Sequence, residues 1–556
     1  MYDPVLLEVM RHRWRSIAEE ACAAMVRTAY SPNIKDRRDC SAAVALPSGE
    51  IVAQAEVGTP LHLGILPAVI RAVLAEYPLE SLEPGDAVIT NLPYPEGPGH
   101  LPDVSMVSPV YVDGRPVAVA ATTAHHIDLG GYAPGSMPLG VEEIYQEGLQ
   151  IPPTPVFHSG QPDEVILRII DQNARTRHEV RGDLLAQYAA GRTAERRVAE
   201  LCALSSTDVA LQYARHVLDH AERVMRDGIA HLADGVYSFD DFLDDDGFSE
   251  EPVRIAVDLT VQGDELVADF SRSSPQVRGP LNCRASAAAS CLYYAAKAVI
   301  DPDLPTSAGA YRPLKVKVRE GSVLQAKFPA AVGNANILTD QRVVDALFGA
   351  FYQVAPERVC AACSGEMNLV NLGGIDLRTG EYFNYVETLA GGQGALFDAD
   401  GGDAVHTHLT NTLNTPIEVI EQTYPLDVTE YALLPDTEGA GRYRGGCGLV
   451  RELRCCAERL TVSIGADRRR FTPWGLENDH HAAGAMCYIL RLDGSRELLP
   501  TKVVTTLQRG ERLRIETPGG GGWGDPAQRD RELLAAEVAE GLISPDRAAS
   551  VYGTGQ

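Results

Sequence analysis

The sequence predicts an α+β protein of several domains: an N-terminal α/β region, a mixed α/β middle and a C-terminal β-rich domain. Three observations carry this. Residues 5–29 place Leu6, Val9, Met10, Trp14, Ile17, Ala21 and Met25 on one helical stripe, and short strand-like runs follow. Asp113-Gly114 joins two apolar runs, Val104–Val112 and Arg115–Thr123, and this dipeptide suits a two-residue hairpin turn because both central positions need positive φ. From Pro425 to Glu516 the runs are short, β-rich and punctuated by glycine. The expected divisions are 1–233, 234–424, 425–527 and a helical tail, 528–556; a length of 556 residues suits about two to four domains.

The elements follow in order. Met1-Tyr2-Asp3-Pro4 has no basic stretch before an apolar one, so it does not read as a signal peptide. The first helix ends before Ser31-Pro32, and Ser48-Gly49 turns the strand 42–45 back into 51–53. His62 precedes a helix expected over 65–77, and Pro84-Gly85-Asp86 leads into the strand 87–90. Pro109 and Pro116 each remove a ladder donor, which predicts an edge or bulged hairpin whose register can slip by one. Gly130–Met137 reads as an irregular segment lining a pocket, and Glu143 with Glu147 as a solvated pair. The pattern over 162–232 predicts two or three packed helices, and 285–300 and 340–354 read as further helices. The acidic run 240–251 fails as a calcium loop, because with Gly247 in the glycine place Phe242 and Val253 occupy the first and last ligand positions; it reads as a solvated turn.

The hairpin carries the candidate chemistry. Counted from its turn, Val112 faces Arg115 and Asp103 faces Ala124, which brings His100 and Asp103 beside His125 and His126. Imidazole and carboxylate converging on one spot suit a divalent cation, zinc, manganese or iron. Neighbours on a strand point to opposite faces, so only one of His125 and His126 reaches it. Asp128 shares a face with His126 and is placed to orient it. Asp39, at the mouth of the first hairpin, is a further oxygen donor or a cap. His406 and His408 would share one face of a strand, the pattern of a second metal site, though a structural role is the preferred reading. Cys360 and Cys363 lack a second pair at zinc-ribbon spacing and read as buried small residues. The glycine runs 391–394 and 519–522 lack the lysine of a phosphate cradle.

A formal charge of −27 argues against nucleic acid and anionic membrane as partners. No apolar stretch is long enough to span a bilayer. The eleven cysteines are scattered and odd in number, which predicts a reduced, cytoplasmic protein.

Several segments resemble one family: Arg38-Asp39-Cys40-Ser41, Val88-Ile89-Thr90-Asn91 with Pro93-Tyr94, His100-Leu101-Pro102-Asp103, and Ala124-His125-His126-Ile127-Asp128-Leu129-Gly130-Gly131. Further matches are Pro134-Gly135-Ser136-Met137-Pro138, Glu143 to Leu149, Gly441 to Gly446 and Pro518 to Pro526. Over nearly its whole length the chain resembles the B subunit of the hydantoinase/oxoprolinase family, which includes metal-carrying subunits of acetone- and acetophenone-type carboxylases. The resemblance implies one divalent metal held by Asp39, His100, Asp103 and His125, and leaves His126 and Asp128 as catalytic candidates. It implies an ATP-dependent hydrolase of a small cyclic amide, such as a hydantoin, oxoproline or larger lactam. ATP and magnesium would be handled by a separate A subunit of the actin-like ATPase type, so a hetero-oligomer is expected. The alternatives are a ketone carboxylase subunit, typically longer than this chain, and a scaffold that binds the A subunit without chemistry. In one place the sequence departs from the family: Leu92 replaces an aspartate, and Pro95-Glu96-Gly97-Pro98-Gly99 precedes His100 with one extra residue. The loop beside the expected metal has been rebuilt, so the substrate need not be the usual one.

Overall fold

The computed structural model describes residues 3–553; Met1, Tyr2 and the last three residues of the expected tail lie outside them. The first helix, Pro4–Thr28, starts where the Asp3 carboxylate accepts the Val5 N–H at 2.9 Å. Its stripe of Leu7, Met10, Trp14, Ile17, Ala21 and Met25 is buried against the helix Arg177–Ser205 and the sheet beneath. The region 162–232 holds three helices, Glu164–Asn173, Arg177–Ser205 and Thr207–Ile229.

Seven strands form the sheet that matters for the site: β1 Cys40–Ala45, β2 Ile51–Gln54, β3 Ala87–Thr90, β4 Asp103–Val112, β5 Arg115–His125, β6 Thr154–His158 and β7 Gln161–Pro162. Their order is β2-β1-β5-β4-β3-β6-β7. Asp113 and Gly114 make the expected turn, with φ of +51° and +74°. The hairpin is not at an edge, as its prolines had suggested, but in the middle of the sheet. The ladders from β1 and β3 stop at Val119 and Val107, so Pro109 and Pro116 lie in an overhang where only β4 and β5 pair. No neighbour there needs the missing donors.

The expected bulge is present. Val112 faces Arg115 and Tyr111 faces Pro116, but Val110 faces Ala118. Val117 is the extra residue, beside a proline that cannot donate, and beyond it Asp103 pairs with His125 rather than with Ala124.

A second sheet, in the order β11-β10-β9-β8, joins β8 Gly235–Leu243, β9 Val253–Gln262, β10 Glu265–Asp269 and β11 Leu314–Lys317. It packs with the helices Ala285–Ile300 and Thr339–Tyr352. A third sheet pairs β12 Leu369–Ile375 and β13 Tyr382–Thr388 with strands 459–465 and 502–508, so one ladder crosses the division expected at 424/425. A fourth, five-stranded sheet lies wholly within 426–516.

Two acidic stretches differ from expectation. Asp244 accepts the backbone N–H groups of Arg469, Arg470 and Phe471, and Asp241, Asp244 and Asp246 are buried, so 240–251 is a docking segment rather than a solvated turn. Glu143 is exposed, but Glu147 is fully buried. The glycine runs are also spent internally: Gly520 N donates to Gly446 O at 2.9 Å, Gly521 N to Ala362 O at 2.7 Å and Ala395 N to Gly521 O at 2.8 Å. A Cβ on Gly392 would lie 2.1 Å from the Gly446 oxygen. These glycines let backbones approach one another directly.

Candidate metal centre

Paired residues on neighbouring strands share a face. The bulged register therefore sets His125 beside Asp103, and the β1 ladder, in which Cys40 faces Ala124, sets Asp39 on the other side. The His125 N–H donates to the Asp39 carbonyl at 3.1 Å. Asp39, His125 and Asp103 thus form a row across three strand ends. His100 arrives from the loop before β4, and His62 from the first turn of the helix His62–Glu76. The five surround a cavity of about 30 Å³, room for an ion or a water, completed by Arg37, Thr59, Met137, Asn336, Met367 and Thr410.

Hydrogen bonds fix which nitrogens are open. His100 Nδ1 donates to the Gly333 carbonyl at 2.9 Å, so a neutral ring presents a bare Nε2. That Nε2 is buried without a hydrogen-bond partner and stands 3.3 Å from Asp103 Oδ2. A lone pair facing a carboxylate oxygen is repulsive unless a cation or a proton lies between them. His62 Nδ1 meets Ser41 Oγ at 2.9 Å, and its Nε2 lies 3.8 Å from the same Oδ2. The Asn336 amide donates to that oxygen at 3.1 Å. Burial works to lower the pKa of His100, but the Asp103 carboxylate outweighs it and the net shift is upward. Burial likewise works to raise Asp103, and His100 drives it well below the carboxylate range. A divalent cation between Nε2 and Oδ2 would relieve that repulsion as a proton would, so these donors fit such an ion.

His125 is fitted differently. Arg37 donates to Asn33 Oδ1 at 3.1 Å, which turns the Asn33 NH₂ toward His125 Nδ1 at 3.2 Å. The ring proton then sits on Nε2, which faces Met137 Sδ at 3.3 Å. Opening Nε2 would need the Asn33 amide turned by half, which would set its NH₂ against the Arg37 guanidinium that now donates to Oδ1. Burial lowers the His125 pKa to about 4, so the ring stays neutral, as a ligand must be. Asp39 is half-buried and accepts from Thr59 Oγ1 at 3.1 Å.

The structure brings Asp39, His100, Asp103 and His125 together; it does not bring His126 or Asp128 to the same cavity. His126 points through the sheet to Gln187, Nε2 to Oε1 at 2.9 Å, and Gln187 is held in turn by the Val104 carbonyl at 2.8 Å. The expected pairing of His126 with Asp128 is not made. Asp128 instead accepts from Gly130 N, Gly135 N, Arg175 N and Arg175 Nη1, at 2.9 to 3.1 Å, tying the segment 130–135 to the start of the long helix.

Several contributors were missed from sequence. His62 lies inside its helix, not before it, and a histidine among apolar residues at a helix start was the available signal. Asn336 and Gly333 come from more than two hundred residues away, with nothing local to mark them. Glu147 supports them: its Oε1 accepts from Val332 N at 2.8 Å and Gly333 N at 2.7 Å, while Oε2 has no partner. Burial raises its pKa to about 7. The rebuilt loop docks on the same segment, with Tyr94 donating to the Ala330 carbonyl at 2.8 Å and Arg284 to the Pro95 carbonyl at 2.6 Å. A Cβ on Gly99 would lie 2.3 Å from Asn336 Oδ1, so glycine there lets Asn336 reach Asp103.

A family model described as hydantoinase B/oxoprolinase matches residues 3–526. A putative B subunit of a D-/L-hydantoinase from a Pseudomonas species is 30% identical over 99% of this chain and 95% of its own length. The 5-oxoprolinase of Dictyostelium discoideum is 33% identical over 94% of this chain, which spans only 40% of that protein. Among solved structures, the ATP-dependent caprolactamase from Pseudomonas jessenii matches with a TM-score of 0.92 and 28% identity, covering 100% of this chain and 98% of that one. Acetone carboxylase matches with a TM-score of 0.90, 18% identity, and coverage of 99% and 79%, a likeness of fold.

Proposed function

The chain belongs to the hydantoinase B/oxoprolinase family, and on that premise we propose that it is the metal-binding subunit of an ATP-dependent cyclic-amide hydrolase. Relatives carrying the names hydantoinase, 5-oxoprolinase and caprolactamase support the reaction class. The observation that carries the metal is the bare Nε2 of His100 facing Asp103 at 3.3 Å with no hydrogen-bond partner. His100, Asp103 and His62 would hold a divalent ion, with Asp39 and His125 beside them. When bound, such an ion polarises a carbonyl oxygen and lowers the pKa of water. Around it the chain orients and excludes: Gly333 fixes the His100 ring, Asn336 fixes the Asp103 carboxylate, and Leu61, Ile337, Met367 and Leu369 keep bulk water out. His126 and Asp128 act one step away, His126 by bracing β4 through Gln187 and Asp128 by holding the segment 130–135.

Opening an unstrained amide at the expense of ATP needs a phosphate cradle and magnesium. Both glycine runs here are committed to backbone contacts with each other, which supports a separate nucleotide-binding A subunit and a hetero-oligomer. The test is elemental analysis of the chain and of His100→Ala and Asp103→Ala. These variants should keep their circular dichroism spectrum and lose the metal. Co-expression with the A subunit should give ATP-dependent ring opening of a hydantoin, 5-oxoproline or caprolactam. Unchanged metal content in both variants would remove the metal reading, and ATP-independent turnover by the isolated chain would remove the two-subunit one.

A further inference from the structure

A second cavity, of about 430 Å³, opens to the surface between segments 358–363, 393–396 and 405–411, with the exposed Arg358, Leu396, Val405 and Asn411 at its mouth. Thr410 lines this cavity and the metal cavity alike. Cys360, Cys363 and His408 form part of its wall. The two cysteines are buried, as small residues would be, but they are also assembled with other groups.

The helix Thr339–Tyr352 delivers Asp345 beneath them. Asp345 Oδ1 accepts from His408 Nε2 at 2.9 Å and from the Cys363 backbone N–H at 3.2 Å, and Oδ2 takes the buried Arg468 guanidinium at 2.5 Å. His408 reaches this position on a backbone with φ of +57°, a conformation that ordinary residues rarely adopt and that clusters at functional sites. One side-chain donor atom each from Asp345, Cys363 and His408 lie within 4.8 Å of one another. The Cys363 sulfur accepts the Gly394 N–H at 3.4 Å and lies 3.8 Å from the Cys360 sulfur. A backbone N–H, the Cys360 thiol and His408 surround that sulfur and favour a thiolate, with the Asp345 carboxylate within reach opposing them.

The carboxylate decides between a metal site and a nucleophile. Both Asp345 oxygens already accept, Oδ1 from an imidazole and a backbone N–H and Oδ2 from an arginine, so Asp345 orients His408 and has little left to offer an ion. A carboxylate, an imidazole and a thiol within reach of one another are the groups of a nucleophile with an oriented base. We propose that Cys363, His408 and Asp345 form a second reaction centre, a thiol nucleophile that takes up an activated acyl group, an ester or acyl phosphate, in the cavity above it. The hydrogen bond from Cys360 does most to lower the Cys363 thiol, with His408 adding to it against burial. Burial works to lower His408, but Cys363 and Asp345 outweigh it and raise it to about 10.

The step balances without a redox partner. The Cys363 proton passes to His408, the sulfur bonds to the acyl carbon, and the bond from that carbon to the leaving oxygen breaks, the oxygen keeping the electron pair and taking the proton from His408. Water then attacks the thioester, its proton passes through His408 to the departing sulfur, and the acid is released. The proposal does not depend on the metal reading, because none of its residues coordinates at the first site.

The full chain treated with p-nitrophenyl acetate should release a burst of p-nitrophenolate approaching one equivalent, with the acetyl group on Cys363 by peptide mass spectrometry. Cys363→Ala should abolish the burst and keep the first-site metal; His408→Gln should slow acylation by about 100-fold or more. Iodoacetamide on the unaltered chain should label Cys363 ahead of the other cysteines, which keeps the test decisive if a variant fails to fold. Absence of both burst and label on Cys363 would overturn the proposal. So would a zinc equivalent that protects the native chain from both reagents and disappears in Cys363→Ala, which would mark a metal site instead.

Discussion

Asp103 stands opposite His125, one residue beyond the partner its turn alone would dictate. Without the extra Val117, Asp103 would face Ala124 and share its face with His126. The bulge therefore selects which of two adjacent histidines joins the carboxylate. His125→Ala should lower metal affinity sharply, whereas His126→Ala should keep the metal and lower Tm, because it leaves Gln187 Oε1 unsatisfied at a cost of about 1–3 kcal/mol. Turnover per metal-loaded, folded molecule should survive in His126→Ala. Loss of turnover with metal and fold intact would make His126 a participant in the chemistry.

His62 shares the Asp103 oxygen with His100. We expect His62→Ala to lose metal as fully as His100→Ala, measured as metal per chain after dialysis. Full retention would assign His62 to hydrogen bonding with Ser41 alone.

Gly99→Ala should act through Asn336. The added carbon pushes the amide off Asp103, and loss of such an outer contact typically weakens metal binding about 10–100-fold. Competition against a chelator gives the affinity, and an unchanged value would show that Asn336 is dispensable.

Glu147 predicts a pH dependence. Burial raises its folded pKa to about 7, above the ordinary glutamate value, so the folded chain keeps a proton that the unfolded chain releases. Its contribution is full at pH below the unfolded pKa and is lost as pH rises through the folded one. Glu147→Gln keeps an acceptor for Val332 and Gly333 and has no charge to bury. Its stability relative to the unaltered chain should therefore increase from about pH 5 to about pH 8 in denaturant titrations. Parallel curves over that range would show that Glu147 is already ionised.

What could be read from the sequence was local. Asp113-Gly114 announces its turn because few dipeptides accept two positive φ angles, and strand alternation separates His125 from His126 whatever the fold. The prolines announced the bulge but misplaced the hairpin at an edge, since sequence does not show where neighbouring ladders stop. Gly333, Asn336 and His62 carry no signal of their own: they become part of the site only through packing of distant segments. Cys360-x-x-Cys363 looked inert because the proposed base, His408 oriented by Asp345, is brought in by a helix and a loop that share no pattern with it.

The bond between His100 and Gly333 also spans 233 positions of chain, which has a consequence in time. The bulged hairpin can pair as soon as both its strands have left the ribosome. At about 5–20 residues per second, Gly333 and Asn336 follow some tens of seconds later. Until then the His100 ring has no fixed tautomer and Asp103 lacks its amide. The nascent chain thus displays the candidate ligands early and gains the groups that orient them late, so on the proposed reading a metal would be loaded toward the end of synthesis.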